Sequence, residues 1–320
     1  MIYYIFLFAV SFIAMGFSAR WIVNSLTFFA RFFQWREFVL VYFILVMAAS
    51  IPNLVIGFFS TVENVSELFF GDVLGNSLIT LTLIAGLSAV VSKGLRAESR
   101  VVQQSSFFLV FSAILPIMLI IDGDLSRGDG VVLLTVFFLY SGWLFSKRRI
   151  FEQVYEEKER IRRPISLLFR NTGSVLLGIP LLILAGHWIV QSSIFFANFF
   201  NFPIVIFGVL IVAIGTSLPE LFFIITAAKK QNDWLALGGI IGNVIVLSTF
   251  GLGLIAVISP IKILLFSDFS PLFIFLVIAT FLFLLFIKSG KKITSGEAVI
   301  LLMVYGLFVG FEIISRIINS

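Results

Sequence analysis

Residues 21–33, WIVNSLTFFARFF, return at residues 188–200 as WIVQSSIFFANFF, 167 positions later and with nine of thirteen residues identical. The offset then persists without insertion. Ser50 pairs with Ser217, Pro52 with Pro219, Gly71 with Gly238, Gly75 with Gly242, Asn76 with Asn243, and Gly86-Leu87 with Gly253-Leu254. Phenylalanine is abundant, but chance pairing of Phe would not also align Trp, Pro, Asn and Gly. The chain is a duplicated unit, and its fold has to be two copies of one structure.

The solvent for most of this structure is lipid. Of the 320 residues, 60% are hydrophobic and only 12% charged, more apolar surface than a soluble domain can hide. Cysteine is absent, which excludes disulfides and thiolate metal sites, and the single histidine, His187, excludes a multi-histidine metal centre. The net charge of +5 is carried by Lys and Arg between apolar runs, where it reads as a topology determinant and not as a nucleic-acid footprint. No cleavable signal is expected, because the first apolar stretch runs on into the first repeat.

Splitting the apolar runs at charged or Pro/Gly-rich breaks gives about ten spans, five per copy. They fall near 1–32, 38–60, 69–91, 105–121, 130–146, 174–199, 203–228, 236–259, 270–287 and 297–314. The first and sixth are long enough to imply tilt or an interfacial extension. The expected division is a first repeat over 1–146, a linker over 147–165 and a second repeat over 166–320. The polar core of the linker, 147–163, should be a short amphipathic or solvated helix. Arg31, Arg36, Lys93, Arg96, Arg100, Lys229, Lys230, Lys288, Lys291 and Lys292 lie in one set of alternate loops, together with that linker. The other set carries Glu63, Glu67, Asp122 and Asp124, with little basic charge beyond Arg127 and Lys262. The positive-inside rule therefore places 147–163 in the cytoplasm and both termini outside. Five spans are an odd number, so the second copy enters the membrane from the opposite side. The expected fold is all-α and integral to the membrane, in two inverted-topology five-helix repeats.

Polar chemistry concentrates at 213–220, AIGTSLPE. Pro219 lacks an amide hydrogen and should release the carbonyl of Gly215, while Thr216 and Ser217 add hydroxyls and Glu220 a carboxylate near mid-membrane. Broken backbone at that depth is tolerated only where it lines a cavity or is buried in protein. Such an all-oxygen set suits sodium or calcium and not zinc or copper. The bland reading is a kinked packing helix with a neutral Glu. In the first copy, 46–53 reads VMAASIPN: Pro52 should free the Ala48 carbonyl, Ser50 keeps its hydroxyl, and Asn53 stands where Glu220 does. The next spans open with GDVLGNSL, 71–78, and GGIIGNVI, 238–245, whose glycines four apart suit close helix packing. Asn76 and Asn243 need partners inside apolar spans, either broken backbone or an ion. Asp72, one turn before Asn76, is a second ion carboxylate or a helix-start acid near the interface. Arg20 and His187 correspond across the copies and read as snorkelling or paired side chains.

At these residues the chain resembles the cation/calcium antiporter superfamily, its prokaryotic sodium/calcium exchangers in particular. Gly215-Thr216-Ser217-Leu218-Pro219-Glu220 matches the family's G-T-S-L-P-E element completely, and Ala48-Ala49-Ser50-Ile51-Pro52-Asn53 departs from it. In the following element, G-N-x-I-G-S-N, Asn76 and Asn243 replace the serine, and Thr80 and Leu247 stand where a further amide or acid is common. The resemblance implies two inverted five-helix repeats, with the first and sixth spans sliding across an eight-helix core. It also implies an ion-ligand role for Glu220, Thr216, Ser217 and Ser50. The expected function is secondary cation antiport with alternating access at a midplane site centred on Glu220. That site draws on Thr216, Ser217, Ser50, Asn53, Asn76, Asn243 and Asp72. With Asn53 in place of an acid, calcium affinity should weaken or the ion should change. Cation/proton exchange and a non-transporting scaffold are the alternatives. An enzyme is not expected, since short loops carry no nucleophile–base pair. No cofactor and no nucleic-acid partner are implied, only transported cations and the lipid bilayer of a prokaryotic plasma membrane.

Overall fold

The computed structural model describes residues 1–32, 38–147, 165–263 and 270–319. A lipid solvent offers no partner to free backbone groups, so the apolar runs satisfy themselves as helices. Among the described residues these are ten: α1 (Ile2–Phe32), α2 (Phe38–Val62), α3 (Ser66–Val91), α4 (Arg100–Leu119), α5 (Arg127–Ser146), α6 (Ile165–Phe200), α7 (Ile204–Lys229), α8 (Asp233–Ile258), α9 (Ser270–Lys288) and α10 (Ser295–Asn319). Among the described residues, nine are long and apolar enough to cross a membrane, and α2 contributes the apolar helix Val46–Val62. Each expected span has its helix. Most of the linker 147–163 and of the loop 31–36 lies outside the described residues.

The duplication is visible in the details of the helix ends. Ser126 Oγ accepts from the Asp129 amide at 3.3 Å, and the Asp129 carboxylate accepts from the Ser126 amide at 2.9 Å, a reciprocal cap that starts α5. Thr294 and Glu297 repeat it at the start of α10, at 3.3 Å and 2.7 Å. Three helices contain a π turn: Thr80–Ile84 in α3, Gly208–Val212 in α7 and Val246–Gly251 in α8. The turns in α3 and α8 overlap once the repeat offset is applied.

Two short strand pairs establish the inversion. β1 (Leu95–Arg96), after the third helix of the first copy, pairs antiparallel with β4 (Lys292–Ile293), after the fourth helix of the second. Conversely, β2 (Asp124–Leu125), after the fourth helix of the first copy, pairs with β3 (Ile261–Lys262), after the third of the second. Third-helix ends of one copy thus share a face with fourth-helix ends of the other, which is possible only if the copies are oppositely oriented. The Arg96 amide also donates to Asp233 at the start of α8, at 3.1 Å. One face therefore gathers the loops bearing Lys93, Arg96, Lys229, Lys230, Lys291 and Lys292, and the other gathers Asp122, Asp124 and Lys262.

Packing follows the same crossed pattern. A Cβ on Gly253 of α8 would sit 2.9 Å from the Gly130 carbonyl oxygen of α5, and one on Gly86 of α3 would sit 3.0 Å from the Ala298 carbonyl oxygen of α10. The main core is built from α3 and α8 with the helices around them. A second apolar cluster joins α1 and α6 to it through Met15, Ile22, Ile56, Leu182, Ile189 and Phe207. α1 seats on α7 where the Phe12 ring lies against bare Gly215, a place a methyl group would already contest.

Candidate cation site

Four helices bring the polar residues together: α2 and α3 from the first copy, α7 and α8 from the second. Close approach of α3 to α7 is set by glycine. A Cβ on Gly75 would stand 2.6 Å from the Val209 carbonyl oxygen, and one on Gly71 would overlap the Val205 carbonyl. With the backbones this near, side chains only a few atoms long meet across the interface.

Asp72 and Glu220 are the two carboxylates of this centre, and both are buried. Asp72 accepts from Asn53 Nδ2 at 3.0 Å and from Thr216 Oγ1 at 2.8 Å. Glu220 accepts from Asn243 Nδ2 at 2.6 Å and from Thr80 Oγ1 at 3.3 Å. Between them, Asn243 also donates to Asn76 Oδ1 at 2.9 Å, Thr80 donates to the same oxygen at 3.2 Å, and Asn76 donates to Ser217 Oγ at 2.9 Å. Ser217 Oγ in turn donates to the Ala213 carbonyl at 2.6 Å. Asn76 and Asn243 are each other's counterparts in the duplication. A residue can touch its own symmetry mate only on the axis that relates the copies. The centre therefore stands on that axis, where the two copies meet.

All the side chains hydrogen-bonded to these two carboxylates, among the described residues, are neutral. Buried carboxylates without a cationic partner are costly inside a membrane, and at such sites the missing charge is ordinarily an ion or a proton. Beside Glu220 and Asn243 lies a cleft of about 20 Å³, walled by Val46, Ala49, Phe223, Ile224, Leu235 and Gly239. That volume holds one water-sized particle. No three His, Cys, Asp or Glu side chains cluster among the described residues; the centre gathers two acids with amides and hydroxyls around them.

Several sequence expectations change here. The backbone around Pro52 and Pro219 is not broken: both prolines sit inside continuous helix, over Phe38–Val62 and Ala213–Lys229. A proline removes one donor and leaves one carbonyl unserved, which does not by itself unwind a helix that its neighbours hold. The distortion falls earlier in α7, at the π turn Gly208–Val212. The hydrogen bonds of the centre run between side chains. Asp72 is no interfacial helix-start acid, since it is fully buried and bonded to α2 and α7. Asn76 and Asn243 bond to side chains and not to broken backbone. Ser50 is buried but donates to the Val46 carbonyl of its own helix at 3.0 Å, outside the network. Thr80 joins the network although the sequence reading took it only as the replacement of a family amide or acid and did not count it among the site residues. Its signal is its position one turn after Asn76, on the same helix face. Arg20 lies 4.8 Å from the Phe222 ring and His187 lies 5.1 Å from the Phe59 ring.

Two oppositely oriented five-helix copies meeting at a buried polar centre are the architecture of a secondary transporter. The model of the sodium/calcium exchanger protein family matches residues 3–146 and 171–314, and the chain belongs to that family of membrane cation antiporters. The inner membrane protein YrbG of Escherichia coli is 30% identical over 279 residues, covering 82% of this chain and 84% of that protein. The sodium/calcium exchanger MaX1 of Methanosarcina acetivorans is 25% identical, covering 91% of this chain and 93% of its own. Among solved structures, the fold matches the sodium-calcium exchanger NCX_Mj soaked with sodium and strontium at a TM-score of 0.67 and 22% identity, over 97% of this chain and 98% of that one. It also matches the H+/Ca2+ exchanger CAX at 0.77 and 14% identity, over 98% and 86%.

Proposed function

We propose that this chain exchanges cations by alternating access at the axial centre, with Glu220 as the acid that each transported ion displaces from its hydrogen bonds. The observation that carries the reading is the Asn76–Asn243 contact, which puts Glu220, Asp72 and their amide and hydroxyl partners where the two copies meet. Thr216, Ser217, Asn53, Asn76 and Asn243 supply neutral oxygens once an ion enters, and Ser50 stands ready on α2. α1 and α6, packed mainly on each other, are the moving pair. The copies span 1–146 and 166–320 with the 147–165 linker between them. The basic face, including 147–163, is cytoplasmic, both termini lie outside, and the membrane is a prokaryotic plasma membrane.

Sodium/calcium exchange is the primary reading, because hard oxygen donors and two acids suit those ions. Cation/proton exchange is the second, favoured by the neutral surroundings of both carboxylates, where a proton is the smallest ion able to replace a cation. In proteoliposomes, Glu220→Gln should remove gradient-driven calcium uptake; uptake equal to the parent protein's would reject the role. Flux that follows a pH gradient and ignores a sodium gradient selects the second reading.

A further inference from the structure

The two copies carry the same amide–acid pair, but in reversed order. In the second copy the acid, Glu220, is on α7 and the amide, Asn243, is on α8, joined at 2.6 Å. In the first copy the amide, Asn53, is on α2 and the acid, Asp72, is on α3, joined at 3.0 Å. The duplication pairs Asn53 with Glu220, and pairs Asp72 with Gly239, which has no side chain at all. Each acid then takes a threonine hydroxyl from the opposite copy: Asp72 from Thr216 at 2.8 Å and Glu220 from Thr80 at 3.3 Å. Position for position the symmetry is broken. Chemically it is kept, with one carboxylate, one amide and one threonine at each end of the network.

We infer that Asp72 is the first copy's cation-binding carboxylate, moved from the second helix of the repeat to the third, so that the centre keeps two acids and the charge for a divalent cation. The inference rests on the reading of the centre as a cation site. Asn53 marks a relocated charge and not a lost one. Its Nδ2 donates to Asp72, and a half-turn of the amide presents its oxygen instead. A bare Asn53 beside an apolar residue 72 would have left one acid, with the deficit for divalent ions that the sequence alone suggests.

The test is calcium tracer uptake into proteoliposomes by four proteins: the parent, Glu220→Gln, Asp72→Asn, and the swap Asn53→Glu with Asp72→Asn. Thermal unfolding in detergent is recorded for each, with and without calcium. Asp72→Asn should lower uptake by about tenfold or more, the scale of losing one charged ligand. The swap returns the acid to α2 and should restore uptake and calcium-dependent stabilisation to within about threefold of the parent. Uptake unchanged in Asp72→Asn while Glu220→Gln is inactive overturns this inference and leaves the transport reading standing. A swap that fails to give a folded, calcium-responsive protein also overturns it. Uptake retained in Glu220→Gln, or absent from the parent, removes the transport reading and the inference with it.

Discussion

α3 and α8 are buried over 83% of their apolar windows, whereas α1 is buried over 22% and α6 over 33%, although all four are apolar enough to span a membrane. The two pairs occupy repeat-equivalent positions and differ in what they carry besides apolar residues. α3 holds Asp72, Asn76, Ser77, Thr80 and Thr82, all buried, and α8 holds Asn243, Ser248 and Thr249. α1 instead shows Ile2, Tyr3, Phe6, Ile13 and Phe17 outward. In lipid, apolar content does not decide which helix is central, because tails are as apolar as leucine; small and polar residues decide it. The central pair is locked by glycine-to-backbone contacts and by hydrogen bonds between helices, whereas the outer pair meets its neighbours mostly through apolar side chains; its buried Ser11, Ser18 and Ser193 bond within their own helices, and Gln191 donates to Glu63 at 2.7 Å.

The largest effect that should separate the pairs comes from Asn243→Leu. It strips Glu220 of its shortest hydrogen bond and Asn76 of its axial partner, and should cost about 1–3 kcal/mol of stability as well as cation-dependent uptake. Thermal unfolding and proteoliposome flux measure the two losses. Gly75→Ala comes next. Its methyl would press on the Val209 backbone, 2.6 Å away, which has nowhere to retreat, and an overpacking cost of about 1–3 kcal/mol should appear as a lower unfolding temperature. Gly215→Ala tests the boundary between the pairs. The three atoms nearest its methyl all belong to the Phe12 ring of α1, a side chain able to shift, so stability should fall by about 1 kcal/mol, the low end of overpacking. Uptake should slow by more than that small change accounts for, if α1 moves over α7. Smallest is Gly16→Ala on α1, where a Cβ meets nothing within 4 Å; helix propensity alone should raise stability by about 0.5–1 kcal/mol. If Gly16→Ala proved as damaging as Gly75→Ala, the distinction between a locked centre and a loosely seated outer pair would fail.

The architecture was legible in the sequence because its signals are long: an unbroken 167-residue offset and ten apolar runs, each matched by a helix. Glu220 was legible because a carboxylate inside an apolar span is too costly to keep there without an ion, a proton or a partner. Other features depend on packing that no local pattern encodes. Asp72 read either as a second ion carboxylate or as an interfacial acid near the start of α3, and only the neighbouring Asn53 and Thr216 decide between the two. The prolines suggested unwound backbone, but whether a missing donor opens a helix depends on what encloses it. The π turns and the two-residue strands leave too little periodicity to detect. Ser50 looked like a twin of Ser217, yet only Ser217 accepts from an amide: Asn76 donates to Ser217, while its counterpart Asn243 donates to Asn76 and Glu220 and not to Ser50.

Crystals of the protein soaked in a calcium or strontium salt, with anomalous diffraction used to locate the ion, would measure the claim that matters most. The cation should appear between Glu220 and Asp72, about 2.3–2.6 Å from carboxylate and amide oxygens, where the hydrogen bonds of Asn243 and Asn53 now run. An ion bound elsewhere, with those hydrogen bonds intact in its presence, would contradict the account.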